Sequence, residues 1–531
     1  MTQALAQPTP GATSGDPAPS VQPLLSLWAA VPVAALAGLA LDAAFPSLGW
    51  WPLAYVAVAA SLVTFVGRRA WGAVLVGAAF GAAFWFPHVS WSSRFLGDDP
   101  LGWVPWVALA TSQTLLTAAV SPLITLAYRW VPRWRGTRAV RLGVLPLVVA
   151  GAWTTRELVL GSWPYGGFPW GRLGMSQSAS PVAPVASWLG VSGLTFCMVL
   201  LCAAVIEVVR HATATPSAGR GRWLAGAPAV ALAVVLVALP PFPTAPAGTL
   251  RVGAVQGNGP AAYVDERGPG DLLRAQLDAS EPLEDERVDL VVWPEGGVGA
   301  DPVADGGAAT ALSSAAHRYQ APLLVNAASW RGERMFNTSF LWTEGGPTAT
   351  HAKRHPVPFG EYVPDRAFYG AIVPSLVNLL AREYSPGSDA PVVDTGDTVV
   401  GLAICFDVVF DDVVREGVQG GAQAYMFQTN NADFRGTDEN LQQTAMARMR
   451  AVETGRAVVN LSTTGTSQVF GPDGAPGPAL PADEAGIIVT DVELRDGVTA
   501  GVLVGPWLQR GIVVGTVLAL AALAVAGRRR A

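Results

Sequence analysis

The sequence predicts a multi-pass helical membrane protein that carries a layered α/β domain outside the cytoplasm. Three observations predict this fold class. Only 14% of the 531 residues are charged, whereas soluble domains average about a quarter. Eight apolar runs are long enough, or nearly so, to cross a bilayer as helices. One long stretch, residues 249–495, instead alternates short β-rich runs with helical patterns.

Charge is distributed unevenly along the chain. Residues 249–505 contain 17 basic and 34 acidic residues, a net of −17, and the remainder contains 17 basic and 6 acidic residues, a net of +11. This asymmetry is typical of an acidic domain in water and of membrane helices with cationic loops. We expect no nucleic-acid partner, because an acidic domain repels the phosphate backbone.

The apolar runs divide into seven before the acidic domain and one after it. We place them at about 24–44, 49–66, 72–88, 102–128, 141–160, 184–208, 223–241 and 507–527. The predicted organisation is a disordered tail at 1–23, a seven-helix membrane domain at 24–241, an α/β domain at 249–495 and a last membrane helix at 507–527.

Arginine clusters orient these runs. They follow the second, fourth, sixth and eighth runs, at Arg68 and Arg69, from Arg129 to Arg141, from Arg210 to Arg222 (with Arg220) and from Arg528 to Arg530 (with Arg529). Because cationic loops stay in the cytoplasm, both termini are predicted to be cytoplasmic. The segment between the seventh and eighth runs is then extracytoplasmic.

Several strands of the acidic domain are apolar almost throughout, which is typical of strands covered on both faces. We therefore predict an α/β sandwich. Strands are predicted at 249–257, 288–293, 321–329, 338–343, 399–406, 424–430, 457–463 and 486–494, and helices at 269–283, 307–319, 409–419 and 438–455.

Cofactor motifs are missing from the sequence. No GxGxxG or P-loop pattern joins a strand to a helix. The five histidines form no HExxH pattern, and no paired CxxC occurs. We expect no metal and no cofactor, and we interpret His351 and His355 as solvated or supporting residues.

Cysteine and lysine are each used sparingly. Cys405 is the only cysteine of the acidic domain, because Cys197 and Cys202 lie in an apolar run, where thiols pack as small hydrophobic groups. Lys353 is the only lysine, against 33 arginines. A GC-rich genome would explain the arginines, and the retained lysine indicates a site that needs a compact amine whose charge can be tuned.

Three short motifs end or closely follow predicted strands. WPEGG contains Glu295, HAKRHPVPFGEYVP contains Lys353 and Glu361, and GLAICFD contains Cys405. Each alone has an ordinary structural explanation, but together they supply the base, the positive group and the nucleophile of thiol catalysis. Glu295, with a pKa raised by burial, would take the proton of Cys405. Lys353 and the N–H after Cys405 would stabilise an oxyanion.

The order of these motifs resembles the nitrilase, or carbon–nitrogen hydrolase, superfamily, whose members place a Glu–Lys–Cys triad on an αββα sandwich. Seven spans, a nitrilase-like extracytoplasmic domain and a last span resemble the apolipoprotein N-acyltransferase family of the bacterial inner membrane. The other matching segments are GFPWGRLGMSQ (167–177), AVQGN (254–258), ICFD (404–407) and MARMRAVETGR (446–456). The resemblance also implies that the loop 162–177, which is rich in aromatic residues, has a function beyond that of an ordinary interfacial loop.

The resemblance implies a role for each residue. Cys405 is the implied nucleophile, Glu295 the general base, Lys353 the oxyanion stabiliser and Glu361 a second glutamate at the site. The enzyme would move a fatty acyl chain from a phospholipid to Cys405. The thioester would pass it to the α-amine of a diacylglyceryl-cysteine lipoprotein, in a ping-pong reaction that ends lipoprotein maturation. We expect a monomer in the bacterial plasma membrane.

The sequence departs from the family pattern in two places, and two other functions stay open. Phe406 and Asp407 stand where family members usually have Tyr or Trp and then Glu, and the common N-D-x-W-F stretch is NNADF at 430–434. One alternative is a membrane-tethered amidase or nitrilase, in which water resolves the thioester. The other is a lipid-binding or transport protein with a decayed catalytic domain. The seven-span block favours two membrane-bound substrates, and no triad residue is lost.

Overall fold

The structure, a computed structural model, describes residues 22–214, 224–380 and 382–528. Most of the predicted N-terminal tail, together with Arg220, Arg222, Arg529 and Arg530, lies outside the described residues.

Apolar helices form the part of the chain before the α/β domain. Their bounds are α1 Leu27–Asp42, α2 Leu53–Phe65, α3 Ala70–His88, α4 Trp103–Val120, α5 Pro122–Trp134, α6 Leu145–Leu160, α7 Val185–Ala214 and α8 Ala227–Ala238.

Five helical segments have the length and hydropathy that a bilayer crossing requires. They are Ala70–His88, Trp103–Trp134, Val140–Leu160, Val185–Ala214 and Ala500–Gly527. The apolar helices of the first, second and seventh predicted spans are shorter. The third run, predicted at 72–88, forms α3, which has 19 residues and begins at Ala70. The total of eight crossings stays a prediction.

Within the described residues, six α-helices and twelve strands form the α/β domain, and one long helix follows it. The helices are α9 Asp271–Ser280, α10 Gly306–Tyr319, α11 Arg366–Ile372, α12 Pro374–Val377, α13 Asp411–Gln419, α14 Glu439–Thr454 and, last, α15 Ala500–Arg528. The strands are β1 Ala245–Gln256, β2 Leu290–Val292, β3 Leu323–Arg331, β4 Arg334–Thr343, β5 Gly346–Ala352, β6 Val392–Asp394, β7 Val399–Ile404, β8 Ala424–Thr429, β9 Val458–Ser462, β10 Ser467–Phe470, β11 Pro476–Leu480 and β12 Gly486–Asp496.

The strands form two six-stranded sheets. The first has the order β12-β1-β2-β3-β4-β5, and the second has the order β11-β10-β9-β8-β7-β6. In the first, β1, β2 and β3 are parallel, and β4 is antiparallel to both β3 and β5. The carboxyl ends of β2 and β5 therefore lie at the same edge of this sheet.

The two sheets pack face to face with helices on both outer sides. Apolar side chains of both sheets share one buried cluster, which includes Leu250, Leu290, Leu324, Leu402, Met426 and Val459. Side chains of α10 cover the outer face of the first sheet. Those of α13 and α14 cover the second and continue into the core of the membrane helices. The domain is thus an αββα sandwich whose second helix layer rests on the membrane part.

The last helix begins earlier than the sequence predicts. Its apolar run starts after Pro506, but the helix begins at Ala500 and contains that proline. The hydroxyl of Thr499 accepts a hydrogen bond from the Val502 N–H at 3.4 Å, as an N-cap residue does. The first turn of the helix is therefore set by a cap within the α/β domain rather than by the apolar run.

Candidate active site

The three motif residues directly follow strands of the sandwich. Glu295 lies three residues after β2, Lys353 follows β5, and Cys405 follows β7. The first two come from the same edge of the first sheet, and Cys405 comes from the second sheet. The site therefore lies between the two sheets, at the ends of their strands.

The amine of Lys353 lies between two carboxylates. Its Nζ is 3.2 Å from Glu295 Oε1 and 2.9 Å from Glu361 Oε2. Lys353 is 1% exposed, and Glu295 is 8% exposed. The structure therefore brings together three of the predicted residues as a buried ion cluster.

Two asparagines hold the carboxylates of this cluster. Asn337 Nδ2 donates to Glu295 Oε1 at 2.6 Å and to Glu361 Oε1 at 3.3 Å. Asn326 Nδ2 donates to Asn337 Oδ1 at 2.9 Å, while its own Oδ1 accepts the Gly296 N–H at 2.8 Å. The last contact ties the loop that carries Glu295 to β3.

Burial and charge set the protonation of the cluster. Burial raises the pKa of Glu295, although the neighbouring ammonium of Lys353 opposes the rise. Burial alone would lower the pKa of Lys353, but the carboxylates of Glu295 and Glu361 outweigh it and raise that pKa well above its ordinary value. Lys353 therefore stays an ammonium. The interpretation of it as an amine that changes charge is wrong, because two carboxylates face it.

Cys405 begins a short 3₁₀-helix and has an unusual backbone. Its φ is +48°, a left-handed conformation that costs energy for a residue with a Cβ. The residue is half-buried. Burial first, and then the Glu295 charge, raise the pKa of the thiol, whereas the Lys353 charge lowers it. The resting sulfur is therefore a thiol that needs a base before it can attack.

Gln443 is the contact of this sulfur that sequence reasoning missed. Its Nε2 donates a hydrogen bond to Cys405 Sγ at 3.5 Å. Among the described residues, this is the hydrogen bond that the sulfur forms. Asn337 was missed as well. Asn is depleted in strand interiors, so Asn326 and Asn337 in β3 and β4 were a signal that sequence reasoning could have used.

Phe406 and Asp407, the two departures from the family pattern, are both buried. The ring of Phe406 stacks on Phe168 and Trp170, with centroids 5.9 and 6.4 Å apart. Asp407 accepts hydrogen bonds from the N–H groups of Arg354 at 3.2 Å and of His355 at 2.8 Å. Phe406 needs no polar tip here, and Asp407 is long enough to reach the backbone after Lys353.

The aromatic loop 162–177 packs against the α/β domain next to Cys405. Besides the ring contacts of Phe168 and Trp170 with Phe406, Arg172 pairs with Asp411 at 2.6 Å. A cavity of about 300 Å³ opens beside these rings, lined by Tyr165, Gly166, Arg354, His355, Pro356, Pro358, Tyr362, Pro386, Phe406 and Phe410. The cavity reaches Phe406, the residue that follows Cys405.

The two histidines beside Lys353 are held by other contacts. His355 stacks on Phe410 with centroids 3.8 Å apart, and its Nε2 is 3.0 Å from Asp412 Oδ2. His351 is buried, and its Nδ1 lies 3.1 Å from the Ala390 carbonyl. Across the described ranges, no three His, Cys, Asp or Glu side chains form a group that could hold a metal ion.

Comparison with known proteins covers both parts of the chain. Residues 37–204 match the family described as the apolipoprotein N-acyltransferase N-terminal domain, and residues 251–500 match the carbon–nitrogen hydrolase family. An amidase from Nesterenkonia with a solved structure is 21% identical, with a TM-score of 0.37 over 47% of this chain and 92% of that chain.

Curated relatives match along nearly the whole chain. The apolipoprotein N-acyltransferase of Mycolicibacterium smegmatis is 29% identical over 91% of this chain and 83% of its own length. That of Azotobacter vinelandii is 28% identical over 92% and 94%, and that of Gloeobacter violaceus is 30% identical over 92% of each chain. Similarity at this level, over 92% of this chain and 92% of the Gloeobacter protein, shows that the chain belongs to the apolipoprotein N-acyltransferase family.

Proposed function

We propose that the chain transfers a fatty acyl group from a membrane phospholipid to the N-terminal α-amine of a diacylglyceryl-cysteine lipoprotein, through a thioester on Cys405. The observation that carries the proposal is the cluster of Glu295, Lys353 and Glu361, whose charges act on the thiol of Cys405, the only cysteine of the α/β domain. This cluster supplies a base of raised pKa and a fixed positive charge, which are the two groups that thiol catalysis needs.

In the first half-reaction the thiol attacks the phospholipid ester. Glu295 takes the Sγ proton of Cys405, and the sulfur bonds to the ester carbonyl carbon. The Lys353 ammonium and the Phe406 N–H, which lies in a first helical turn without an intrahelical partner, stabilise the oxyanion. The ester C–O bond then breaks, Glu295 returns the proton to the departing oxygen, and a lysophospholipid leaves.

In the second half-reaction the lipoprotein amine replaces the sulfur. The α-amine attacks the thioester carbonyl, Glu295 accepts a proton from the attacking nitrogen, and the Cys405 sulfur departs as a thiolate as the amide forms. Glu295 then returns the proton to the sulfur, which regenerates the thiol. Water would give a free fatty acid instead, as in the alternative of a membrane-tethered hydrolase. Family membership favours the amine as the acyl acceptor. The membrane helices favour it as well, because a hydrolase of small amides needs no membrane domain to bind its substrates.

The membrane arrangement is part of the proposal. We place eight helices across the bacterial plasma membrane, both termini in the cytoplasm and the α/β domain outside. The arginine clusters at Arg68–Arg69 and Arg129–Arg141 support this orientation. The packing of loop 162–177 against Phe406 and α14 also supports it, because that loop lies on the predicted extracytoplasmic side. We further propose that the enzyme acts as a monomer without a cofactor.

Mass spectrometry tests the proposal in two stages. The purified protein is first incubated with phospholipid alone, and a fatty-acyl mass is expected on the peptide that contains Cys405. A synthetic diacylated lipopeptide with a free α-amine is then added, and the acyl mass should move to it as an amide. Variants Cys197→Ala and Cys202→Ala serve as controls and should label like the unmodified protein.

Two outcomes would contradict the proposal. An acyl mass on Cys197 or Cys202, or on no cysteine, would reject Cys405 as the nucleophile. Release of free fatty acid at the same rate with and without the lipopeptide would favour the hydrolase.

A further inference from the structure

The side chain of Gln443 is directed at the proposed nucleophile. It projects from α14, is 1% exposed, and places Nε2 at 3.5 Å from Cys405 Sγ. The sulfur makes this hydrogen bond with a neutral amide rather than with one of the charged residues of the site.

A chain of hydrogen bonds fixes the orientation of this amide. The Gly465 N–H can only donate, so Ser462 Oγ accepts it at 2.8 Å and donates its own proton to Asn431 Oδ1 at 2.6 Å. Asn431 Nδ2 then faces Gln443 Oε1 at 2.8 Å. The carbonyl oxygen of Gln443 is thus occupied, and its amino group faces the sulfur.

These bonds are buried and therefore hold their geometry. Asn431 is 3% exposed and Ser462 is fully buried. Reversing the Gln443 amide would set its amino group against the amino group of Asn431, which leaves buried donors without acceptors. The donor at the sulfur is prepared before any substrate arrives.

We propose that Gln443 is a further catalytic residue of the acyl transfer, which rests on the proposed function: its side-chain N–H stabilises the Cys405 thiolate. The thiolate forms when the Sγ proton moves to Glu295, and it forms again when the S–C bond of the thioester breaks. Gln443 keeps its protons in both steps. Asn431 and Ser462 are positioning residues that act through Gln443.

The chemistry of the site requires such a donor. Burial and the carboxylates of Glu295 and Glu361 disfavour a negative sulfur, whereas the Lys353 ammonium favours it. Lys353 already faces two carboxylates at 3.2 and 2.9 Å. A neutral donor adds stabilisation to the thiolate without neutralising Glu295.

The test is the pH dependence of Cys405 alkylation by iodoacetamide, followed on the peptide that contains this residue. Gln443→Met keeps the length and removes the N–H. We expect its alkylation midpoint to move to higher pH and its acyl-enzyme formation at neutral pH to fall about tenfold to a hundredfold, since hydrogen bonds to charged groups are worth about 1.5–3 kcal/mol. Ser462→Ala should show a smaller shift in the same direction.

Gln423→Met is the matched control. Gln423 bonds Thr398 and Asp496 just before the start of β8, away from Cys405, so its midpoint and rate should equal those of the unmodified protein. Gln443→Leu is a second substitution that removes the N–H, and it provides the test if Gln443→Met does not reach the membrane.

An unchanged midpoint and an unchanged acylation rate in both Gln443 variants would overturn the inference. Alkylation needs no lipid substrate, so it separates the two proposals. If the Gln443 substitutions shift the alkylation midpoint but the unmodified protein forms no acyl-enzyme, the proposed function is rejected and the donor is kept. Normal acylation by both variants would reject the donor alone.

Discussion

The carboxylate of Asp407 accepts a hydrogen bond of 2.8 Å from the backbone N–H of His355. Its other oxygen accepts the N–H groups of Arg354 at 3.2 Å and of Ile404 at 3.4 Å. One fully buried side chain thereby joins the loop that follows Lys353 to the turn that presents Cys405. The distance between the Lys353 ammonium and the Cys405 sulfur depends on these hydrogen bonds.

Asp407→Asn should weaken the hydrogen bonds that join the loop after Lys353 to the Cys405 turn. An amide has one acceptor oxygen, so its amino group would face a backbone N–H, and an unsatisfied buried donor costs about 1–3 kcal/mol. We expect a lower thermal unfolding midpoint in detergent and slower acyl-enzyme formation. Asp412→Asn is the control, because Asp412 pairs with the partly exposed His355 ring. Equal effects of the two substitutions would refute a special role for Asp407.

Cys405→Ala should abolish acyl transfer and leave the protein folded in the membrane. The substitution removes the sulfur and keeps a small side chain at a position that already has a φ of +48°. Activity is measured as conversion of a diacylated lipopeptide, and folding as the thermal unfolding midpoint. Cys202→Ala should retain activity, since Cys202 lies in α7. Acyl transfer by the Cys405→Ala variant would refute the assignment of Cys405 as the nucleophile.

Lys353→Arg should also fail, although the charge is preserved. The Nζ atom fits between carboxylate oxygens at 3.2 and 2.9 Å in a place that is 1% exposed, and the planar guanidinium is larger and cannot occupy the same point. Loss of one oxyanion donor typically costs about 100- to 1,000-fold in rate. The measurement is single-turnover formation of the acyl-enzyme.

Arg354→Lys is the matched control for this exchange. Arg354 pairs with Glu416 at 2.8 Å and is partly exposed, so the reverse substitution should keep most of the rate. A Lys353→Arg variant with unmodified turnover would show that a compact amine is not required.

Sequence reasoning reached the outline of the fold because its signals are local. The buried strand β7 is a continuous apolar run, and β8 and β9 each begin with one, so they could be predicted. Edge strand β11 could not, because it is exposed and contains two prolines, which are tolerated only at edges or bulges. Strand β5 was missed because its residues are small and polar over most of its length.

The candidate site residues were predicted from residue types within short motifs. Lys353 is the only lysine, Cys405 is the only cysteine of the acidic domain, and Glu295 follows a predicted strand. The contact between Gln443 and Cys405 is not visible in the sequence, because it depends on how α14 packs against the end of β7. Nothing in the spacing of these residues distinguishes Gln443 from Gln442, which instead accepts a hydrogen bond from Trp170.

Glu439→Gln should change how stability depends on pH. Glu439 is 2% exposed and accepts a hydrogen bond from Asn431 at 2.7 Å. Burial raises its pKa from 4.5 to about 8. An acid whose pKa is raised by folding stabilises the folded state fully below its unfolded pKa, and this stabilisation is lost as the pH rises through the folded pKa.

The unmodified protein should therefore lose stability between about pH 4.5 and about pH 8, by at most about 5 kcal/mol from this residue. Glutamine has no proton to lose, so Glu439→Gln should remove this part of the pH dependence and raise the thermal unfolding midpoint at pH 8 relative to the unmodified protein. Glu344→Gln, at an exposed position, should leave the curve unchanged. Parallel curves for the unmodified protein and the Glu439→Gln variant would mean that Glu439 is ionised in the folded protein at neutral pH. In that case its charge would oppose the thiolate of Cys405 in every turnover, and the same substitution would accelerate acylation.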